Sequence, residues 1–357
     1  MVLHVGVAKT GTTFLQRILV ANRPAIRAAG ALYPGDSPHT HFRAALDLRG
    51  GKFAGHEYRR AKGVWEAVTR EVNAFDGPAV ISHESLARTK RDDRIRAVEG
   101  FDGAEVRVVI TARDLGRQVP AVWQENVKNR NSTTYTEFLD DVFDEGKRAT
   151  FWRAQDLASV AARWAKQVGK DAVTIVTVPP PGGDRTLLWT RFQQACELPD
   201  IDYHLPEVSD NRSMGAAETE VLRRMNTCFP DDLPWPRYES RVKRGFVIRV
   251  LSTERRHGPL LVPPRWQDAT RDRASRQVEL LSKAGYPVVG DLDELNPQPT
   301  QAVGPGPDDF SSEQLLDVSV RLLSETALMG TSAVRMPGPT AAQHRKVARL
   351  AKRLRRG

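Results

Sequence analysis

The residues best suited to chemistry stand at the start of the chain, in GVAKTGTT, Gly6–Thr13. The stretch approaches a nucleotide phosphate loop, G-x-x-x-x-G-K-[ST], but Lys9 precedes Gly11 instead of following it. Read as a phosphate loop, its backbone N–H groups and the positive end of the next helix face an anion. Gly11 allows close backbone approach, Thr12 and Thr13 add hydroxyl donors, and Lys9 lies against the oxygen that leaves. Two further groups belong to the same chemistry. SHES offers His83 and Glu84 as candidate bases, and VRVVITARD ends on Arg113 followed by Asp114. Arginine at that strand end suits a second anion, whereas a kinase or ATPase needs a magnesium-binding acid there.

The surrounding elements place these groups together. VLHVGV reads as a short strand that runs into the Gly/Thr turn, and TFLQRILVANRPAIRAAG has helical periodicity. Three more strands are expected within residues 78–86, 104–114 and 170–181, separated by helical stretches such as YRRAKGVWEAVTREVNAF and FWRAQDLASVAARWAKQVG. This alternation implies an α/β fold, a P-loop-type parallel sheet flanked by helices, with a helical C-terminal half from about residue 200. In such sheets ligands sit beyond the C-terminal strand ends, so AKTGTT, SHES and ARD converge on one crevice. The organisation expected is an α/β domain over 1–295, a Pro/Gly-rich linker over 296–309 and a helical, basic tail over 310–357.

AKTGTTFLQ resembles the lysine-led loop with which the PAPS-dependent sulfotransferases hold the 5′-phosphosulfate of 3′-phosphoadenosine 5′-phosphosulfate (PAPS). Similarity to bacterial, actinomycete-type members extends loosely over about residues 1–297, through VPAVWQENVK, LLWTRFQQACEL, NRSMGAAETEVLRRMN and GYPVVGDLDEL. The resemblance implies that Ala8, Lys9, Thr10, Gly11, Thr12 and Thr13 bind the donor. It also implies that Arg113 meets the 3′-phosphate together with a serine eight positions later. That position holds Ala121, so a hydroxyl is missing, and Arg117 or Asn211, Arg212 and Ser213 are the substitutes. The family's adenine-loop signature R-K-G-x-x-G is absent. Family members use a histidine or a glutamate as base near this point in the chain. Glu84 is favoured and His83 is second, with Lys9 stabilising the departing phosphate oxygen.

The function expected is transfer of a sulfuryl group from PAPS to a hydroxyl of a small-molecule, glycan or lipid acceptor, with no metal required. A P-loop kinase is the alternative enzyme, and a nucleotide-binding protein without turnover is the alternative of another class. His39 and His41 form H-x-H with no third ligand at metal-site spacing, so a surface turn is expected. Trp123, Gln124 and Lys128 follow Arg113 at helical spacing and face either the crevice or the core.

The bulk of the sequence agrees with this reading. The 357 residues are 40% hydrophobic and carry a net charge of +9, which favours anionic ligands. Part of that excess lies in HRKVARLAKRLRRG, a segment suited to weak contact with a membrane surface. No aromatic-interleaved basic patch marks a nucleic-acid binder. Two distant cysteines, no targeting signal and no long apolar run point to a cytoplasmic protein.

Overall fold

In the computed structural model the described residues are 1–53, 56–144, 150–184, 186–206, 214–251, 258–298 and 305–328. Five strands form one sheet: β1 (Val2–His4), β2 (Val80–Ser82), β3 (Arg107–Ala112), β4 (Val173–Thr177) and β5 (Val288–Val289). Their order is β2-β1-β3-β4-β5 and every pairing is parallel, so the α/β expectation holds. The first four strands lie inside the four stretches expected from the sequence. β5 lies in the half expected to be helical; with only two residues it has no periodicity to read.

Alternation along the strands sends side chains to two cores. Leu3, Val5, Val7, Ile81, Val108, Ile110 and Ile175 pack against α2 (Thr40–Leu48), α3 (Val64–Asn73) and α5 (Leu157–Val168). On the opposite face, Val2, Val80, Val109 and Val176 meet α1 (Thr12–Ala21) and α6 (Leu187–Cys196). The helical run expected to Gly30 breaks at Asn22. Pro24 starts a second helix there, and the Asn22 amide donates to Ile18 O and His204 O, both at 2.8 Å.

A third core joins α4 (Leu115–Lys128) and α7 (Ala216–Cys228) to α8 (Ser312–Leu328) through Val119, Leu222, Leu315, Val318 and Leu322. Within the stretch read as a linker, Asp308 accepts from Thr136 N at 2.7 Å, which ties it to the body. Residues 329–357, including the basic segment, lie outside the described residues. No described helix is long and apolar enough to cross a membrane.

The sheet register sets a polar chain beneath the crevice. His4 pairs with Ser82 on one side and Val109 on the other, so Thr111, two residues on, shares its face. Thr10 Oγ1 donates to Val7 O at 2.6 Å and contacts Thr111 Oγ1 at 2.6 Å. Thr111 must therefore donate to Thr10, and its own oxygen accepts from His4 Nε2 at 3.1 Å. His4 Nδ1 is left as acceptor for Ser82 Oγ at 2.7 Å. The Ser82 N–H donates to His41 Nδ1 at 3.0 Å, and His41 Nε2 donates to Pro34 O at 2.9 Å.

Every donor in this buried chain has its acceptor, and both histidines are neutral. Burial pushes each down to about 3 from an ordinary 6.5. A depressed histidine contributes stability that is complete above the unfolded value and is lost as pH falls towards the folded one. Folding therefore weakens from about pH 6.5 towards about pH 3. A urea midpoint unchanged between pH 7 and pH 5 would contradict this proton count. Thr111→Val keeps the shape but strands the His4 N–H, at a cost of about 1–3 kcal/mol in urea unfolding. A loss below about 0.5 kcal/mol would show the chain to be incidental.

Candidate functional site

The loop that follows β1 keeps strand pairing to β3 through Val5 N to Val109 O and Val7 N to Thr111 O, both 3.0 Å. It then turns sharply, with positive φ at Gly6 (91°), Lys9 (69°) and Gly11 (84°). A Cβ at Gly6 would lie 2.8 Å from the Glu84 Cα, so glycine lets the loop and the β2 end touch. Lys9 in the left-handed region is uncommon for a residue with a Cβ and points to a constraint imposed by the loop. Gly11 caps α1 without a side-chain hydrogen bond, leaving the first helical N–H groups to face the loop's concave side. Thr10 and Thr12 are buried, whereas Thr13 is exposed. Gln118 Nε2 donates to Ala8 O at 3.2 Å, which fixes the loop from the α4 side.

Lys9 reaches Glu125 Oε2 at 2.7 Å, and Lys243 holds the other oxygen of the same carboxylate at 2.8 Å. Burial raises the Glu125 pKa, but the two ammoniums lower it more, well below the usual carboxylate range. Residues 118, 121, 125 and 128 recur at spacings of three and four on α4, which places them on one helix face. Ala121 therefore sits between Gln118 and Glu125, on the side that meets the loop.

At the β2 end, Glu84 accepts from Gln16 Nε2 at 3.3 Å, and Gln16 also donates to Ser82 O at 3.2 Å. Burial pulls the Glu84 pKa up, but His83, hydrogen bonds and Lys9 pull it down further, so it is ionised at neutral pH. His83 Nδ1 accepts the Ser85 N–H at 3.1 Å. A backbone N–H can only donate, so neutral His83 carries its proton on Nε2. His83 Nδ1 also lies 2.8 Å from Ser85 Oγ. The pair expected to compete for one role are chemically distinct in place.

Arg113, at the end of β3, donates to Lys9 O at 3.2 Å, and its buried Nε has no hydrogen-bond partner among the described residues. Burial, reinforced by Arg117, lowers its pKa to about 10. Asp114 caps α4 by accepting Arg117 N at 3.0 Å, and its carboxylate is ion-paired to the Arg117 guanidinium. Arg117 also donates to Pro179 O at 3.0 Å, so its donors already meet protein acceptors. Arg212, with Asn211 and Ser213, lies outside the described residues.

Other expected positions fall elsewhere. Trp123 is buried, donating to Thr133 O at 3.1 Å and packing on Tyr135. Gln124 is also buried and donates to Met214 O at 2.9 Å. His39 is exposed, while His41 is sealed in the polar chain, so H-x-H is not a surface turn as a whole and its rings do not work together. Sequence reasoning missed Gln16, Gln118, Glu125 and Lys243. The first three share helix faces with residues already singled out, so periodicity could have found them; Lys243 carries no such signal.

No protein-family model matches the chain, and no curated protein matches it. Among solved structures it is similar to the crystal structure of a sulfotransferase from Alicyclobacillus acidocaldarius. Identity is 14%, 67% of this chain and 94% of that chain are covered, and the TM-score is 0.40.

The close approach at Gly6 gives a direct check on the site's shape. Gly6→Ala forces a Cβ against backbone at a positive φ and should cost about 2 kcal/mol or more in urea unfolding. A stability within about 0.5 kcal/mol of wild type would mean that the loop and the Glu84 turn are not held in this contact.

Proposed function

We propose that the protein is a sulfotransferase that moves a sulfuryl group from PAPS to a hydroxyl of its acceptor. The observation that carries the reading is that Lys9, on a glycine-hinged phosphate loop, shares one crevice with the ionised Glu84. Arg113 at the adjacent strand end supports it, because its buried Nε lacks a partner among the described residues and suits a second anion. The cradle also fits a phosphosulfate: glycines where a Cβ would collide, uncapped helical N–H groups and a lysine on the loop.

Bound there, PAPS supplies sulfur as the electrophile: the acceptor oxygen bonds to it, the bond to the phosphate oxygen breaks, and that oxygen keeps the electron pair. The residues of the chain do the rest. Glu84 takes the hydroxyl proton, and its lowered pKa keeps it free to do so at neutral pH. Lys9 and the α1 N–H groups stabilise the phosphate charge that develops. His83, with its proton on Nε2, is a hydrogen-bond donor beside the acceptor. A P-loop kinase is disfavoured because Asp114, the acid nearest the β3 end, is spent on the helix cap and Arg117.

The reading predicts thermal stabilisation by the product nucleotide PAP; stabilisation by ATP with magnesium alone would sink it. With labelled PAPS and a pool of hydroxylated acceptors, Glu84→Gln should lower transfer about 10²–10⁴-fold, and His83→Ala far less. Transfer should hold across neutral pH and fall only in acid, as Glu84 takes a proton. Unchanged transfer by Glu84→Gln together with its loss in His83→Ala would reverse the base assignment.

A further inference from the structure

The crevice has two unlike walls, most of whose residues the transfer chemistry leaves unused. One is aromatic. Phe42 contacts His83 with ring centroids 5.5 Å apart and Phe53 at 5.4 Å, and Phe53 meets Trp235 at 5.5 Å. These rings are only half-buried, although aromatic rings in a finished core are covered. The other wall is basic. Lys9, Lys128 and Lys243 surround one carboxylate, Glu125, both of whose oxygens are already engaged.

Lys128 makes no hydrogen bond or ion pair among the described residues, and it sits half-buried within the field of the other two lysines. Leaving water with only the shared charge of Glu125 to compensate is costly for an ammonium. Burial, with repulsion from Lys9 and Lys243, lowers its pKa to about 8. An incoming anion would relieve both costs. Lys9 ties this group to the phosphate loop, and Lys128 extends it along α4. Gln118 meets the loop, whereas Lys128 lies ten residues further along α4, about 15 Å of helix rise. Lys243 arrives on the segment Glu239–Leu251, which directly follows the short helix bearing Trp235. One stretch of chain thus contributes to both walls.

We propose that the acceptor is a hydroxylated ring bearing a second, acidic group, with the ring against Phe42 and Trp235 and the acid at Lys128 and Lys243. The inference rests on the sulfotransferase reading and names the acceptor class for it. An aromatic ring and a pyranose present the same chemistry to these walls.

Isothermal titration of the full chain with two matched pairs tests this: para-hydroxyphenylacetate against tyrosol, and methyl glucuronide against methyl glucoside. In one pair the acid should bind about tenfold or more tighter than its neutral partner, as a charge-assisted contact supplies. Lys128→Met and Lys243→Met should bring that ratio towards one, and Lys128→Arg should keep it. Phe42→Leu should weaken both members of the favoured pair alike. Equal affinities, no binding of either acid, or a ratio untouched by both methionine variants would overturn the proposal. Titration of the same sample with PAP reads the donor site alone. Failure there counts against the sulfotransferase reading, while the acid-to-neutral ratio still decides the acceptor class.

Discussion

The structure of the crevice depends on the directional hydrogen-bond chain from Thr10 through Thr111 and His4 to Ser82. It joins the loop, β3, β1 and β2 beneath the point where their ends meet. Because Thr10 is committed to Val7 O, each later proton has one place to go, and the chain has a single consistent arrangement. A half-satisfied version would cost more than an apolar layer, since an unpaired buried donor keeps its full desolvation penalty. The completed version fixes where three strands end, and hence where Lys9, Glu84 and Arg113 begin. His4 also packs edge-on to Phe192, so the chain is anchored in the apolar layer beneath α6.

Above that base, the site is governed by close backbone approach and by charge balance. Gly6 brings the loop against the Glu84 turn, so lysine and carboxylate act on each other across the crevice without being bonded. Gln16 holds Glu84 from α1, and Ser85 holds His83 within its own turn. Each of these neighbouring residues is thus held by a contact of its own.

Much of the fold was legible because four strands and their helices carry the periods of two and 3.6 that parallel α/β layers require. β5 escaped notice because two residues have no period, and the break at Asn22 because Pro24 opens a new helix as readily as it ends one. The loop, Glu84, His83 and Arg113 were legible because they stand at strand ends, where topology alone makes them converge. Lys243 and the pairing of Glu125 with Lys9 were not. A carboxylate in VPAVWQENVK gives no sign that it neutralises a lysine 116 residues earlier, because that contact is set by how α4 crosses the loop. His41 was misjudged for a related reason: its burial follows from the packing of α2 on the sheet, which local sequence does not encode.

The balance around Glu125 has a consequence for Lys9. One carboxylate among three ammoniums offsets part of their mutual repulsion and still leaves net positive charge. Lys243 and the Asn129 amide, 3.3 Å from Oε1, hold the same carboxylate alongside Lys9. Lys9 is thus positioned by a network of contacts rather than by a single pair. Ala121 fits the same picture. A small side chain between Gln118 and Glu125 leaves room at the α4 face for the loop, and the contacts that fix that loop come from its two polar neighbours on the helix.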